Sequence, residues 1–403
     1  MTKPTKLQAD WLDSSPTRKV VAALEAKRPG CARFVGGCVR NTLMERIVDD
    51  LDIATQLTPD EVLEGLNAAG IRAEPTGIEH GTITAICDHV PYEITSLRRD
   101  VETDGRRAVV AFTTDWSEDA QRRDFRLNAI YASPDGTLHD PTRGGLDDAA
   151  TGRVIFIGDA DQRLIEDYLR MLRFFRFNAW YGAGIDPEGL AACKRQVGGL
   201  RKIAVERIWR EMYKLLKAPK LDETIWAMDE AGVLDAIFPH RRTGDAAEHI
   251  SRLQILESKV DLLPDPDRRL MALLPRDYSV VAAIARHLRL PNKDRDRLIA
   301  WANDEISVAS VGDPKSERVS LYRYGAEALI DWAMYEDRAE DVRRLKAAGA
   351  PPVFPVLGRD LLEVGFEAGA RVGETLRALE ALWIDGDFKA DRQALLAVAR
   401  ERL

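Results

Sequence analysis

The stretch FVGGCVRNTLMERIVDDLDIAT, residues 34–55, decides the fold of the first part of the chain. An apolar run ends at Gly36 and Gly37, and residues without a Cβ let a phosphate come close to backbone N–H groups. Arg40 follows at the start of a helical pattern, where its planar guanidinium suits a triphosphate. The sequence therefore predicts a strand, a phosphate-binding turn and a helix in succession.

A second apolar run in the same stretch carries two carboxylates. Asp50 and Asp52 are two positions apart, so the period of a β-strand predicts that both side chains lie on one face. Carboxylates this close repel each other unless a cation lies between them, and Mg²⁺ takes one or two carboxylates together with substrate phosphates. A lone Asp-X-Asp is usually a solvated turn. The glycine pair, the arginine and the strand pattern together favour a Mg²⁺ site here.

Outside this stretch, the chain divides into a strand-rich part and a helical part. Helical spacing before residue 150 predicts helices at 16–28 and 59–70, and short apolar runs bounded by turn residues predict strands. The predicted strands are residues 32–37, 48–55, 81–86, 92–97, 108–113 and 124–132. After Gly152 nearly every segment has helical periodicity, with one continuous helix predicted over 162–182. We predict an α+β fold, with a head built on a small mixed β-sheet at 1–150, then an all-helical neck at 151–220, body at 221–325 and tail at 326–403.

The composition argues against several classes of protein. Mean hydropathy is −0.27 and no apolar run is long enough for a membrane span, so we expect a cytoplasmic protein with no membrane partner. Four cysteines in a chain of 403 residues argue against a disulfide framework, and their lack of Cys-X-X-Cys spacing argues against a cysteine zinc site. The net charge is −8, yet the segment from Asp161 to Lys220 holds 13 Lys and Arg against 7 Asp and Glu. This segment is a candidate phosphate-binding strip, although charge alone fits a solvated helix face better.

Six motifs occur in an order that resembles one known family. They are the stretch 34–55, YEITSLRRD (92–100), DGRRAVVAFTTDWSEDAQRRDFRLNAIY (104–131), HDPTRGGLDD (139–148), RLIEDYLRMLRFFRF (163–177) and ERIWREMYKLL (206–216). The set resembles the nucleotidyltransferase signature of class II CCA-adding enzymes and bacterial poly(A) polymerases. The resemblance implies a two-metal reaction that attaches nucleotides to RNA 3′ ends. It also makes Glu93 a third catalytic carboxylate, and an ordinary surface charge is the alternative for this residue.

Residue chemistry within these motifs predicts the triphosphate and ribose contacts. Arg122 and Arg123, like Arg40, offer guanidinium donors for bidentate contact with phosphate. Asp124 is placed to accept a hydrogen bond from a ribose hydroxyl, with Asn128 beside it, which would favour NTP over dNTP. A solvated arginine pair is the alternative, but its position directly before an apolar run favours binding.

A carboxylate and a guanidinium in the predicted helix suggest how a base is chosen. Asp167 and Arg170 are three positions apart, so an acceptor lies beside donors. Cytosine and adenine present a donor next to an acceptor, and uracil and guanine reverse that order, so one protein edge can accept CTP and ATP and reject UTP and GTP. An intrahelical salt bridge is the ordinary alternative. The resemblance implies the same assignment, with Glu166 orienting Arg170 and Arg173 supporting the site.

Two residues depart from the family pattern, and one segment is predicted to be mobile. Asn41 stands where the family usually has Asp, and it can do the same work if the side chain caps a helix. Arg126 stands where the family usually has Thr, and it is either neutral or a phosphate contact. Residues 98–119 are predicted to form a mobile loop, in which the resemblance implies that Arg98 and Asp100 couple nucleotide switching to the head.

The predicted activity is the addition of C, C and A to the tRNA 3′ end from CTP and ATP, with Mg²⁺. Basic residues of the neck would hold the RNA by phosphate and shape, and these are Arg195, Arg201, Lys202, Arg207 and Arg210. The alternatives are a poly(A) polymerase, an enzyme adding only C or only A, and a non-catalytic RNA-binding relative. The ending AVARERL and the segment GIEHGTITAI (77–86) favour CCA addition, and the intact Asp50 and Asp52 pair argues against a non-catalytic protein. The sequence makes no prediction about oligomeric state.

Overall fold

The chain folds into two compact units, Met1–Pro239 and His240–Leu403. This computed structural model describes residues 5–77, 79, 81–104, 107–242, 244–303, 305–306 and 313–402, and for 100–104 and 107–110 it describes the backbone alone. The predicted α+β class is confirmed, because a mixed sheet lies in the first unit and helices make up the described part of the second.

A seven-stranded mixed sheet forms the centre of the first unit. The strands of this unit are β1 Ala32–Val35, β2 Leu51–Thr55, β3 Arg72–Gly77, β4 Thr82–Cys87, β5 Val90–Ser96, β6 Arg98–Asp104, β7 Arg107–Phe112, β8 Tyr131–Ala132 and β9 Leu138–His139. The order in the sheet is β3-β4-β5-β2-β1-β8-β9, and β6 and β7 form a separate two-stranded ribbon. Only β2 and β5 are parallel among these described pairs, which places Asp52 directly beside Glu93 in register.

The helices of the first unit surround this sheet and continue beyond it. They are α1 Asp10–Asp13, α2 Ser15–Glu25, α3 Gly37–Leu43, α4 Pro59–Ala68, α5 Trp116–Gln121, α6 Gly145–Thr151, α7 Ala160–Glu166, α8 Leu169–Tyr181, α9 Pro187–Gln196, α10 Val205–Leu216, α11 Asp222–Glu230 and α12 Val233–Ile237, with 3₁₀ turns at Arg126–Asn128 and Val197–Lys202. Side chains of α2 and α4, such as Leu24 and Leu66, are fully buried in one cluster with Phe34 and Ile53 of the central strands. This packing makes the strand that carries Asp52 a rigid support.

The second unit is helical throughout its described residues. Its helices are α13 Ala246–Lys259, α14 Pro266–Leu273, α15 Tyr278–His287, α16 Asn292–Trp301, α17 Pro314–Tyr335, α18 Ala339–Ala347, α19 Gly358–Val364, α20 Ala370–Asp385 and α21 Arg392–Arg400. The helix α17 is interrupted at Gly325, where φ is +77°. Across the part of the chain that the structure describes, no helix has the length and apolar content that crossing a bilayer requires.

Two expectations for the strand-rich part were wrong. Residues 124–132 form a 3₁₀ turn and only the short strand β8, because Asp124 accepts from the Phe125 amide and from Asn128, which competes with strand pairing. Residues 98–119 contain the strand predicted at 108–113, as β7, but they are not otherwise a loop, because Arg98–Asp104 pairs with β7 as an antiparallel strand and α5 follows. Hydrogen bonds between the two strands satisfy their backbone N–H and C=O groups, whichever side chains the strands carry.

The continuous helix expected over 162–182 is also wrong, because the chain breaks between α7 and α8. Asp167 has extended dihedrals, and its Oδ1 accepts from the backbone N–H of Leu169 at 3.1 Å. An aspartate side chain that binds a nearby backbone N–H competes with continuation of the helix. Asp167 and Arg170 are therefore not neighbours on one helix, although Asp167 still directly precedes the helix that carries Arg170.

Candidate active site

Three carboxylates meet at the central strands of the sheet. Asp52 lies on β2 in register with Glu93 on β5, whereas Asp50 lies just before β2 and not on it as expected. Asp50 and Glu93 are exposed, and Asp52 is partly buried. Burial raises the pKa of Asp52 to about 6, and the nearby carboxylates of Glu93 and Asp50 add to this rise. Negative charge is thus concentrated at a partly desolvated point.

This carboxylate set fits a divalent metal ion that is shared with a substrate. No three His, Cys, Asp or Glu residues among the described positions form a ready-made metal cage. Mg²⁺ needs no such cage, since it is usually held by one or two carboxylates, waters and substrate phosphates. After burial, repulsion from the neighbouring carboxylates also raises the pKa of Asp52, and a bound cation would offset that repulsion. The residues present therefore fit a nucleotide-dependent metal site.

Gly36 lies against the carboxylate of Asp52. Its φ is +74°, at the turn between β1 and α3, and this region of backbone conformation favours glycine. A Cβ at this position would lie 3.2 Å from Asp52 Oδ2 and 4.0 Å from Arg123 Nη1. Gly36, the first glycine of the pair expected to cradle a phosphate, therefore borders the Asp52 carboxylate and one candidate phosphate-binding arginine.

Arg40 is buried and contacts other protein side chains. Its Nη1 donates to Asn128 Oδ1 at 2.6 Å and its Nη2 donates to Tyr181 Oη at 2.9 Å. The guanidinium also lies 4.2 Å from the centre of the Tyr181 ring. Asn41 Oδ1 accepts from both Nε and Nη2 of Arg40. Direct contact of Arg40 with a triphosphate stays a prediction.

The first departure from the family pattern, Asn41, is explained by these contacts. Asn41 does not cap a helix, since it lies inside α3, but its side chain fixes Arg40 and its Nδ2 donates to the Ile47 carbonyl at 2.7 Å. The amide therefore serves as acceptor and donor at once, whereas an ionised Asp offers no donor.

The second departure, Arg126, binds a buried carboxylate. Its Nε and Nη2 donate to the two oxygens of Asp148 at 2.7 and 2.9 Å, and Asp148 is fully buried. A Cβ on Gly144 would approach the Arg126 guanidinium at 2.9 Å, so a glycine makes room for this pair. Arg126 is thus an internal ion-pair partner.

Asp124 and Asn128 lie together in the same buried network as Arg40. Asp124 Oδ1 accepts from Asn128 Nδ2 at 3.0 Å, and Asp124 Oδ2 accepts from Arg173 Nε at 2.7 Å. Burial alone would raise the pKa of Asp124, but Arg173 and the hydrogen bonds from Asn128 and Phe125 hold it at about 2. The chain Arg40–Asn128–Asp124–Arg173 is charged and fixed, and its role in ribose binding stays a prediction.

The tandem arginines share a carboxylate that the sequence analysis missed. Asp119 is 1% exposed, and its two oxygens accept from Arg122 Nε at 2.9 Å and Arg123 Nε at 3.2 Å. Tyr131 Oη also donates to Asp119, at 2.7 Å. Burial opposes ionisation of Asp119, yet Arg123 and Arg122 lower its pKa to about 2. The only sequence signal was an acidic residue three and four positions before the arginine pair.

The candidate base-recognition residues lie at the start of α8. Arg170 Nη1 donates to Glu166 Oε2 at 2.6 Å and Nη2 donates to the Arg122 carbonyl at 3.2 Å. Arg163, also missed from the sequence, places its own Nη1 2.6 Å from the same Glu166 oxygen. Asp167 Oδ2 accepts from Arg207 at 3.1 Å in a half-exposed pair. Asp167 and Arg170 are joined through the backbone, since the Arg170 N–H donates to the Asp167 carbonyl at 3.0 Å, and their role in base selection stays a prediction.

The predicted RNA-binding residues fall into two groups. Arg195 pairs with Asp161 and Arg207 pairs with Asp167, and both arginine side chains remain about half exposed. Arg201, Lys202 and Arg210 are exposed, and the Lys202 ammonium lies 5.2 Å from the Tyr168 ring centre.

The loop candidates are only partly described. The Arg98 N–H lies 3.4 Å from Asp119 Oδ1, so the first residue of the hairpin is tied to the same carboxylate as the tandem arginines. The Asp100 side chain lies outside the described part of the structure, as do Ile78 and His80 of the segment 77–86.

Comparison with known proteins places this geometry in a class. Residues 32–155 match the family model of the poly A polymerase head domain, and residues 184–242 match that of a probable RNA- and SrmB-binding site of polymerase A. Together with the strand-borne carboxylates, these matches define a nucleotidyltransferase with a polymerase-type head.

Full-length relatives give the particular family. The chain is 32% identical to CCA tRNA nucleotidyltransferase 1, mitochondrial, of Mus musculus, over 98% of this chain and 93% of the relative. It is 30% identical to the CCA-adding enzyme of Streptococcus sanguinis (strain SK36), over 92% of this chain and 93% of the relative. The structure of the Bacillus stearothermophilus CCA-adding enzyme in complex with CTP is similar, with a TM-score of 0.75, 27% identity and coverage of 96% and 98%. The chain belongs to the family of class II CCA-adding tRNA nucleotidyltransferases and bacterial poly(A) polymerases.

Proposed function

We propose that this chain is a tRNA nucleotidyltransferase that adds C, C and A to the tRNA 3′ end from CTP and ATP. The observation that carries this proposal is the position of Arg170, whose Nη2 donates to the Arg122 carbonyl and whose backbone N–H donates to the Asp167 carbonyl, within the same unit as the Asp52–Glu93 pair. The relatives are CCA-adding enzymes over nearly their whole length, which supports the same substrate class.

The reaction needs a nucleophile, a triphosphate and a way to neutralise charge. The RNA 3′-hydroxyl attacks the α-phosphorus of the nucleotide, a P–O bond to the RNA forms, and pyrophosphate leaves. Asp50 and Asp52, with Glu93 in register, would hold a divalent metal ion, and we propose Mg²⁺. When bound, that ion supplies a lower pKa for the attacking hydroxyl and neutralises charge on the leaving group.

The remaining groups bind and orient the nucleotide. Arg123 lies between Asp119 and the Gly36–Asp52 contact, so its guanidinium faces the place where phosphates would meet the carboxylates. Arg170 donates three N–H groups to Arg163, Glu166 and Arg122, and its other two donate to no residue that the structure describes. Those two donors fit cytosine N3 or adenine N1, with Asp167 as the acceptor for the exocyclic amine.

The regions outside the head complete the proposal. We retain the division into a head at 1–150, a neck at 151–220, a body at 221–325 and a tail at 326–403, with the exposed basic residues of the neck contacting RNA phosphates. We also retain a cytoplasmic location, noting that some relatives are mitochondrial enzymes.

The test is a nucleotide-incorporation assay with a tRNA transcript that ends before CCA. The purified chain with Mg²⁺ receives each nucleotide singly and then CTP with ATP, and product length is measured at single-nucleotide resolution. We expect two additions with CTP alone and a stop after three with both nucleotides. A long ladder with ATP alone would establish a poly(A) polymerase instead, and binding of tRNA without incorporation would indicate a non-catalytic relative.

The variant Asp50→Ala tests the assignment of the metal ligands. Asp50 is exposed and precedes its strand, so its loss should leave thermal unfolding unchanged while incorporation disappears. Removal of divalent ions from the wild type with a chelator should also abolish incorporation. Added Mg²⁺ should restore incorporation by the chelator-treated wild type but not by Asp50→Ala. Normal incorporation by Asp50→Ala would contradict the metal assignment.

A further inference from the structure

The carboxylate of Asp119 is the fixed point beneath the tandem arginines. Each of its oxygens binds one arginine, Oδ1 the side chain of Arg122 and Oδ2 that of Arg123. Tyr131 Oη adds a third donor, and the carboxylate is almost fully removed from solvent. Because two opposed guanidinium groups hold both oxygens, Asp119 restricts rotation of the Arg122 and Arg123 side chains.

The backbone of the same two arginines holds the base-recognition residues. The Arg122 carbonyl accepts from Arg170 Nη2 at 3.2 Å, and the Arg123 carbonyl accepts from Arg163 Nη2 at 2.8 Å. Glu166 Oε2 joins the two guanidinium groups from the other side, at 2.6 Å from each. Arg170 is therefore held between Glu166 and a backbone segment whose side chains are anchored on Asp119.

We propose that Asp119 is a positioning residue for base selection, acting through the Arg122 carbonyl on the direction in which Arg170 offers its remaining N–H groups. Rejection of uracil and guanine requires donors that cannot turn away from an opposing donor on the base, because a mobile guanidinium would relieve the mismatch. This inference rests on the proposed function, since it assigns Asp119 to nucleotide choice at the same site.

A purely structural role for Asp119 makes a different prediction. A general loss of structure in the head would lower the rate of incorporation of every nucleotide by a similar factor. The ratio of the rates for different nucleotides would then stay unchanged. A positioning role changes the ratio, because uniform binding does not discriminate between bases. The decisive quantity is therefore kcat/KM for CTP divided by kcat/KM for UTP.

The experiment compares Asp119→Asn with Glu118→Gln on the tRNA transcript that ends before CCA. Asp119→Asn keeps the side-chain size but removes the charge that holds both arginines, and we expect the CTP-to-UTP ratio to fall about tenfold. Glu118 is the preceding carboxylate on α5 and contacts Arg99 and Thr113 instead, so Glu118→Gln should keep the wild-type ratio. An unchanged ratio in Asp119→Asn overturns the proposal.

A double variant tests the route through Arg170. If Asp119 acts through Arg170, then adding Asp119→Asn to Arg170→Ala should not lower the ratio further. A further fall of similar size in the double variant would contradict that route. If Asp119→Asn does not fold, Tyr131→Phe removes a single donor from Asp119, and a ratio identical to wild type there would overturn the proposal. Failure of the proposed function is distinguishable, because the wild type itself would then not extend the transcript with CTP and ATP.

Discussion

Gly36 combines a backbone requirement with a chemical one. Its φ of +74° and ψ of −127° belong to a region that residues with a side chain rarely occupy, and the missing Cβ leaves space beside Asp52. Gly158 has the same φ of +74°, but a Cβ there would meet no atom within 4 Å. A comparison of the two glycines therefore distinguishes the effect of backbone strain from the effect of a side chain placed beside Asp52.

We therefore expect Gly36→Ala and Gly158→Ala to lose similar stability but different activity. Each substitution should cost about 1–3 kcal/mol of unfolding free energy from the strained backbone, measured as a shift in thermal midpoint. Only Gly36→Ala should also lose nucleotide incorporation, because its methyl group would lie 3.2 Å from Asp52 Oδ2. Equal incorporation by the two variants at a temperature where both are folded would show that the space beside Asp52 is not needed.

At the same scale, the sequence predicted residue types better than it predicted partners. The carboxylate pair, the tandem arginines and Arg170 were proposed from local motifs, whose spacing is visible in the sequence, and their roles stay predictions. Asp119, Arg163 and the role of Arg126 were not found, because each is defined by a contact. Such contacts depend on how separate elements pack, and spacing along one sequence does not report them.

Among the elements, the break between α7 and α8 orients the candidate base-recognition residues. The Asp167 side chain accepts from the N–H of Leu169, the first residue of α8, and the next residue after Asp167, Tyr168, packs against the 3₁₀ turn at Val197–Lys202. A Cβ on Gly199 would come within 2.0 Å of the Tyr168 ring, whereas one on Gly198 would meet nothing within 4 Å. The ring therefore occupies the space that Gly199 leaves.

This packing predicts opposite results for two adjacent glycines. Gly199→Ala should displace Tyr168 and cost about 1–3 kcal/mol, as overpacking of a closed contact does. Gly198→Ala should change stability by less than about 1 kcal/mol, since its site is open. Thermal unfolding of both variants measures the difference, and the CTP-to-UTP ratio shows whether the displaced break also weakens selection. A Gly199→Ala protein as stable as the wild type would contradict the close contact.

The elements also show why the sequence predicted the fold class but not every boundary. Apolar periodicity located the central strands and most helices, since burial dictates those patterns. It missed β3, which contains Arg72, Glu74 and Pro75 and lies at the sheet edge, where polar residues and proline are tolerated. It also extended one helix through Asp167, because a local hydrogen bond from the Leu169 N–H to the Asp167 side chain outweighed the apolar pattern there.

Across the whole molecule, the pKa values of buried carboxylates shift in both directions, according to whether guanidinium partners outweigh burial. In the first unit, Asp119 and Asp124 are held at pKa values of about 2 by guanidinium partners that outweigh burial. In the second unit, burial and the nearby Asp294 raise the pKa of Asp267 to about 7, although Arg297 opposes the rise. Asp265 and Asp331 are the other acidic groups that face it and add to the rise.

These pKa shifts predict how the contribution of each carboxylate to stability depends on pH. Because the folded-state pKa values of Asp119 and Asp124 lie below the unfolded value near 4, their stabilising effect is present above that value and is lost as pH falls towards about 2. Asp267 has the opposite sign, since its folded form binds a proton more tightly than the unfolded chain does. Its stabilising effect is complete below about pH 4 and is lost as pH rises through about 7.

Asp267→Asn should remove this dependence, because an amide does not titrate. We expect the urea-unfolding free energy of the wild type, relative to Asp267→Asn, to be higher at pH 5 than at pH 8 by more than about 1 kcal/mol, since one pKa unit corresponds to about 1.4 kcal/mol. Asp119 and Asp124 titrate well below this window, and other groups common to both proteins cancel in the difference. A relative stability that is the same at both pH values, or higher at pH 8, would mean that Arg297 keeps Asp267 ionised throughout, as Arg173 keeps Asp124 ionised in the first unit.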